Sequence, residues 1–346
     1  MGRGLVPFLA MILVQFCFAG MNIVTKLALD SGMNPLIMVT YRQIFATLAL
    51  APLAYFLERK TLPRITAKII FQMFLCSLLG ATLNQCLYFL GLKHSTPTMA
   101  CALNNLLPAV TFIMAVPFKM ETVGIKKVTG QAKVLGTIIC VAGAMLMSFY
   151  KGKLINIGHS SLHWKYAQRM SEQGSGNEQV SFIGPLFVMA SVVAWSGWFI
   201  VQAKMNEKFT APYTTTTVMC FMASFECALV AACWEHKFTA WSLAINVRLI
   251  GALYNGILGS AVTFLVMSWC IEKRGPLYVS AFNPLLLIIV AIFGWAMLDE
   301  KVYVGSVVGS SLIVGGLYTV LWGKEKEMEH EAEKKSTGEA VEMAPV

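Results

Sequence analysis

The chain has 346 residues, of which 57% are hydrophobic and only 13% charged, and its mean hydropathy is +0.65. Soluble domains carry about a quarter of their residues charged, so composition excludes a soluble globular protein and makes lipid the solvent for most of the surface. The formal charge of +9 does not indicate nucleic acid as a partner, because Lys and Arg stand singly or in pairs between apolar runs instead of gathering on one face.

Nine cysteines all fall inside apolar runs without CxxC spacing. That pattern indicates neither a disulfide framework nor a zinc site, and leaves them as packing residues. No metal or other cofactor is expected, and the partners implied are a bilayer and a small-molecule solute.

A bilayer-spanning helix needs about 20 mostly apolar residues. Such runs occur at 7–29, 36–57, 68–91, 97–117, 133–150, 182–203, 213–234, 247–271, 276–297 and 303–322. The first is longer than a signal-peptide core and lacks a cleavage site, so a retained helix is expected. Residues 151–181 are polar and rich in Ser, Gly and Gln, which predicts a linker. Residues 323–346 are dominated by Glu and Lys, which predicts a disordered tail. The expected architecture is an all-α membrane protein of ten transmembrane helices, five in 7–150 and five in 182–322. Cytosolic termini place 17 Lys and Arg on the inner side against nine on the outer, which favours that orientation.

The halves are related. A shift of 179 lays Gly80 on Gly259, Pro97 on Pro276, Ala102 and Leu103 on Ala281 and Phe282, Asn104 on Asn283, and Glu121 on Glu300. A shift of 178 lays Pro7 on Pro185 and Lys26 on Lys204, and one of 173 lays Gly136 and Gly143 on Gly309 and Gly316. The second and seventh helices match poorly. Five helices per half is odd, so the halves lie in opposite orientations, the inverted repeat of many secondary transporters.

Polar side chains in spanning helices face the bundle interior or a wet cavity. In the first helix Gln15, Asn22 and Lys26 share one stripe; Lys26 either meets a substrate carboxylate or snorkels to the headgroups. Arg42 has the same two readings. Asn84, Gln85 and Tyr88 cluster on the third helix, suited to a zwitterion or to interhelical bonds. The fourth helix carries Asn104, Asn105 and Pro108, and its repeat mate carries Asn283 and Pro284. Breaks of this kind mark binding sites or gating kinks in inverted-repeat carriers. Trp195, Gln202 and Thr263 complete the candidate substrate-binding set, as cavity lining or as packing. Glu226, the one carboxylate well inside a span, costs roughly 2.5–3.5 kcal/mol near a helix centre and is a candidate for proton coupling. The five histidines lie in connections or the tail, and HExxH, GxSxG and P-loop motifs are missing, so an enzyme is not expected.

Several of these residues carry a family resemblance. Lys26–Leu29, Ser31–Pro35, Tyr41–Arg42, Glu58–Arg59, Asn84–Gln85, Tyr88–Phe89 and the run Ser95–Phe112 resemble the plant nodulin-21-like proteins, as do Gly275–Pro276, Val279–Leu285 and Gly315–Lys324. The family, also called UMAMIT or walls-are-thin-related, belongs to the EamA branch of the drug/metabolite transporter superfamily. The resemblance implies ten helices, cytosolic termini and bidirectional facilitated export or uptake of amino acids, with auxin or other metabolites as the alternative cargo. The plasma membrane is favoured over the vacuolar membrane. Substrate and oligomeric state are left open.

Overall fold

The computed structural model describes residues 2–94, 100, 103–121, 127–150, 152–155, 183–235, 241–243, 247–298 and 302–342. Apart from one two-residue ladder, β1 (Leu154–Ile155) with β2 (Val302–Tyr303), the elements among these residues are helical. The first half holds α1 (Gly2–Asp30), α2 (Pro35–Glu58), α3 (Ala67–Cys76, continued by Ser77–Leu83 and Asn84–Lys93), α4 (Leu107–Ala115) and α5 (Val128–Phe149). The second holds α6 (Ile183–Asn206), α7 (Pro212–Trp234), α8 (Val247–Gly256, Ile257–Val262 and Thr263–Arg274), α9 (Pro276–Ala281 and Leu285–Leu298) and α10 (Val304–Glu342). Nine helical stretches among the described residues are long and apolar enough to cross a membrane. The expected span at 97–117 includes residues outside the described set and contributes α4. Most of the expected linker at 151–181 also lies outside it, as do Pro97 and Glu300.

Helix contacts repeat across the halves. Helix α3 packs on α6 as α1 packs on α8; α2 meets the middle of α8 as α7 meets the middle of α3; α4 packs on α6 as α1 packs on α9. Three pairs are self-related: α2 with α7, α4 with α9, and α5 with α10. Their contacts run antiparallel. Glu58, ending α2, accepts the Tyr213 and Thr214 N–H groups that begin α7, at 3.0 and 2.7 Å. At the other end Asn34, the N-cap of α2, donates to Glu235, just past α7, at 3.1 Å. Each carboxylate therefore serves the start of the helix from the opposite half, where the exposed N–H groups favour negative charge. These contacts set the missing register of the second and seventh helices, Pro35 on Pro212 and Glu58 on Glu235.

Between α5 and α10 the glycines let backbones touch, which favours association where lipid supplies no hydrophobic drive. A Cβ on Gly136 would lie 2.7 Å from the Gly316 carbonyl, and one on Gly309 would lie 2.8 Å from the Gly143 carbonyl. Gly136→Val is expected to force the pair apart and cost about 1–3 kcal/mol, read as a lowered melting temperature in detergent with the α2–α7 pairing intact.

In the structure α10 runs on past Trp322 through Glu342. The first turns past Trp322 are tied to residues distant in sequence. Lys324 reaches Glu121 at 2.6 Å, and Glu327 reaches Lys133 at 2.7 Å, while Lys133 also meets Glu121 at 3.1 Å. Further along, Lys326 and Glu329 pair one turn apart at 2.8 Å.

Two features shape the interior. Both α3 and α8 pass through a π-helical turn, at Ser77–Leu83 and Ile257–Val262, positions related by the 179-residue shift. In addition, α9 breaks at Phe282–Pro284, and the turn at Asn105–Leu106 stands at its repeat mate ahead of α4. Insertions of this kind interrupt the regular ladder and are frequent at functional sites.

Candidate functional site: a polar cavity between the halves

The two breaks meet. Asn283 donates through Nδ2 to the Asn104 carbonyl at 3.2 Å, joining symmetry mates on the axis that relates the halves. Above this junction is a cavity of about 630 Å³, lined by residues of α1, α2, α3, α6, α8, α9 and the turn before α4. Its walls come from the C-terminal parts of α1, α3 and α9 and the N-terminal part of α2, so it lies toward the end of the molecule that carries Asp30 and Pro35. The opposite end is filled: Phe8 meets Phe282 edge-on at 5.7 Å and Tyr278 is tilted against Phe282 at 5.3 Å, in one apolar cluster with buried Phe264 and Met267.

Nine of the twelve expected substrate-binding residues line this cavity: Asn22, Arg42, Asn84, Gln85, Tyr88, Asn104, Asn105, Trp195 and Asn283. Arg42 is 5% exposed. Its Nε donates to Ser260 Oγ at 2.5 Å and its Nη2 to the Gly259 carbonyl at 2.7 Å. Nη1 has no partner among the described residues, nor does any described carboxylate pair with this guanidinium. A buried cation without an anion is costly; a carboxylate entering the cavity would offset that cost. Asn84 is shared between roles, since its Nδ2 also donates to the Ser191 carbonyl and Oγ at 3.1 and 3.0 Å. Trp195 lines the cavity with its ring tilted against Trp198 at 4.8 Å.

The remaining candidates stand elsewhere. Lys26 belongs to α1, and its side chain lies outside the described set. Gln202 is buried between helices, its Nε2 donating to Asn206 Oδ1 and Ser268 Oγ, both at 2.9 Å. It ties α6 to α8, and its amide is already occupied. Thr263 likewise turns away, donating to the Gly259 carbonyl at 2.7 Å. Glu226 is outside the cavity; its two carboxylate oxygens accept from Ser77 at 2.5 Å and Thr82 at 2.6 Å, both in the π-turn of α3. Pro108 is buried at the start of α4, and Pro284 closes the break in α9.

Two polar lining residues escaped the sequence reading, Thr25 and Asn255, whose side chains bond each other at 2.9 Å. Both carried a usable signal. Thr25 continues the stripe of Asn22 one turn on, and Asn255 is a lone amide inside an apolar run.

The relationship to known proteins follows from both halves. Residues 5–149 and 182–322 each match the EamA-like transporter family. The chain belongs to this family. Among its relatives, WAT1-related protein At5g07050 of Arabidopsis thaliana is 41% identical over 326 residues, covering 93% of this chain and 81% of the relative. WAT1-related protein At1g68170 of the same plant is 40% identical over 319 residues, covering 92% and 90%. A solved crystal structure shares the fold at a TM-score of 0.65 and 14% identity, covering 90% of this chain and 97% of the other. This EamA-like chain is thus a multi-pass membrane transporter of small solutes.

Proposed function

We propose that this EamA-like transporter moves amino acids in either direction by facilitated alternating access, with Arg42 taking the carboxylate. The observation that carries the reading is Arg42 itself, the only charged group among the described lining residues, with Nη1 unpartnered in a ring of seven amide side chains: Asn22, Asn84, Gln85, Asn104, Asn105, Asn255 and Asn283. Amides both donate and accept, so they serve an ammonium through oxygen and a carboxylate through nitrogen. A volume of about 630 Å³ falls within the usual range for small-molecule sites. The inverted repeat supports two near-equivalent conformations around one central site. With the termini cytosolic, as the Lys and Arg bias favours, this cavity faces the outer side.

A second reading has a specific observation behind it. Phe18, Tyr88, Phe89 and Trp195 give the cavity aromatic walls, and among the described lining residues there is no carboxylate to pair with an ammonium. An aromatic monocarboxylate such as auxin uses the same Arg42 and those walls.

The test is uptake into liposomes holding the purified protein, with L-leucine, L-glutamine and indole-3-acetate each run against its primary amide. Saturable uptake of the amino acids, with their amides at least tenfold poorer, supports the first reading; uptake of indole-3-acetate alone selects the second. Equal handling of acids and amides removes Arg42 from recognition. Asn104→Ala is expected to lower flux about tenfold, the loss of one or two hydrogen bonds to solute, while membrane abundance stays near that of the wild type. Parallel loss of flux and abundance would instead assign Asn104 to holding the junction together.

A further inference from the structure

Among the described residues, the guanidinium of Arg42 is gripped along one edge only. Nε and Nη2, which share that edge, donate to Ser260 Oγ and the Gly259 carbonyl at 2.5 and 2.7 Å. Both acceptors belong to the π-turn Ile257–Val262. A π-turn moves backbone bonding to i+5, which allows a carbonyl to turn toward side-chain donors, and that of Gly259 takes a second one from Thr263 Oγ1 at 2.7 Å. The close approach of α8 to α2 depends on Gly256, where a Cβ would lie 2.5 Å from Phe45 Cβ and 2.9 Å from the Arg42 carbonyl. Ser260 and Thr263 are wholly buried, so neither touches solute.

We propose that Ser260 is a positioning residue: together with the Gly259 carbonyl it fixes the plane of the Arg42 guanidinium so that the Nη1/Nη2 edge is presented to the two coplanar oxygens of a solute carboxylate. The proposal rests on the reading that Arg42 receives that carboxylate. A guanidinium is a rigid planar fork, and two parallel bonds to a carboxylate need its plane to be set in advance. The π-turn of the second half thereby becomes part of specificity. Thr263 has a place in the same arrangement, holding the Gly259 carbonyl where Nη2 finds it.

The experiment compares initial rates in liposomes for whichever of L-leucine, L-glutamine and indole-3-acetate the wild type carries, with the matching amide as a control. Ser260→Ala is expected to raise KM for the acid about tenfold, the effect of one charge-assisted bond, with kcat within twofold and the amide unaffected. Thr263→Val, which keeps the shape and removes only the second donor to Gly259, is expected to raise KM in the same direction by a smaller factor. In an Arg42→Lys background the Ser260→Ala effect should vanish, because an ammonium has no second edge to aim; a general loosening of α8 would persist there. If Arg42→Lys raises KM but neither Ser260→Ala nor Thr263→Val does, the positioning role is overturned while the cavity reading stands. If Arg42→Ala leaves the preference for acid over amide unchanged, the cavity reading itself falls.

Discussion

Replacing Arg42 with alanine is expected to remove transport of carboxylate-bearing solutes almost completely while the protein still reaches the membrane. Truncating one partner of a desolvated charge pair costs about 2–5 kcal/mol, which in KM corresponds to roughly 30-fold to several thousand-fold. The solute arriving without the guanidinium would bring a charge into a cavity whose described lining then holds no cation, only neutral polar and apolar side chains. The folded protein loses less than the complex does. Arg42 is buried without an anion among the described residues, so the truncation also relieves a desolvation cost, offset by the two bonds lost to Gly259 and Ser260. The check is a set of uptake curves for Arg42→Ala and Arg42→Lys normalised to protein in the liposome. Lysine keeps the charge and loses the fork, so an intermediate KM is expected; alanine and lysine behaving alike would mean that charge is not what the cavity reads.

Lys133→Ala should be the most destabilising single change away from the cavity. Lys133 and Glu121 have side chains with no exposed surface, and Glu327 and Lys324 complete the group. Removing Lys133 leaves Glu121 with Lys324 as its remaining partner and leaves Glu327 at 3.6 Å from that same ammonium. Breaking a buried pair in this way costs about 3–5 kcal/mol, with the lower end expected because Lys324 stays in place. Melting of the purified protein should report the loss, and with it the release of α10 beyond Trp322 from the end of α5. The joint replacement Glu121→Leu with Lys133→Met should be less damaging than Lys133→Ala alone, because no unpaired charge is buried. KM for solute should not move in either variant, since the cluster lies outside the cavity.

The helices and their inverted arrangement were legible because hydropathy and repeated Gly, Pro and Asn positions are local signals. The register of α2 on α7 was not. The two share only a few identities, and what makes them equivalent is the exchange of Glu58 and Glu235 between opposite helix ends. The π-turns were also invisible, because i+5 bonding leaves no trace in an apolar run such as Ser77–Leu83. Polarity inside a span drew attention to Asn84, Asn104 and Arg42, which line the cavity, and equally to Gln202 and Thr263, which do not. The difference lies in the partners each side chain finds: Gln202 has Ser268 of α8 and Asn206 of its own helix, and Thr263 has the Gly259 carbonyl, whereas Nη1 of Arg42 has none among the described residues. The ties that hold the start of the Glu- and Lys-rich segment were not legible either, because Lys324 and Glu327 find Glu121 and Lys133 some 200 positions earlier.

Counterflow decides most directly whether this cavity belongs to a carrier that alternates between two sides. Liposomes holding the purified protein are preloaded with an unlabelled solute that the wild type takes up, then diluted into labelled solute, with a pH gradient on or off. Transient accumulation of label above equilibrium, absent from empty vesicles, unchanged by the pH gradient and lost in Arg42→Ala, is the predicted result. Flux that rises linearly with concentration and shows no accumulation would contradict alternating access and make the cavity the vestibule of a channel.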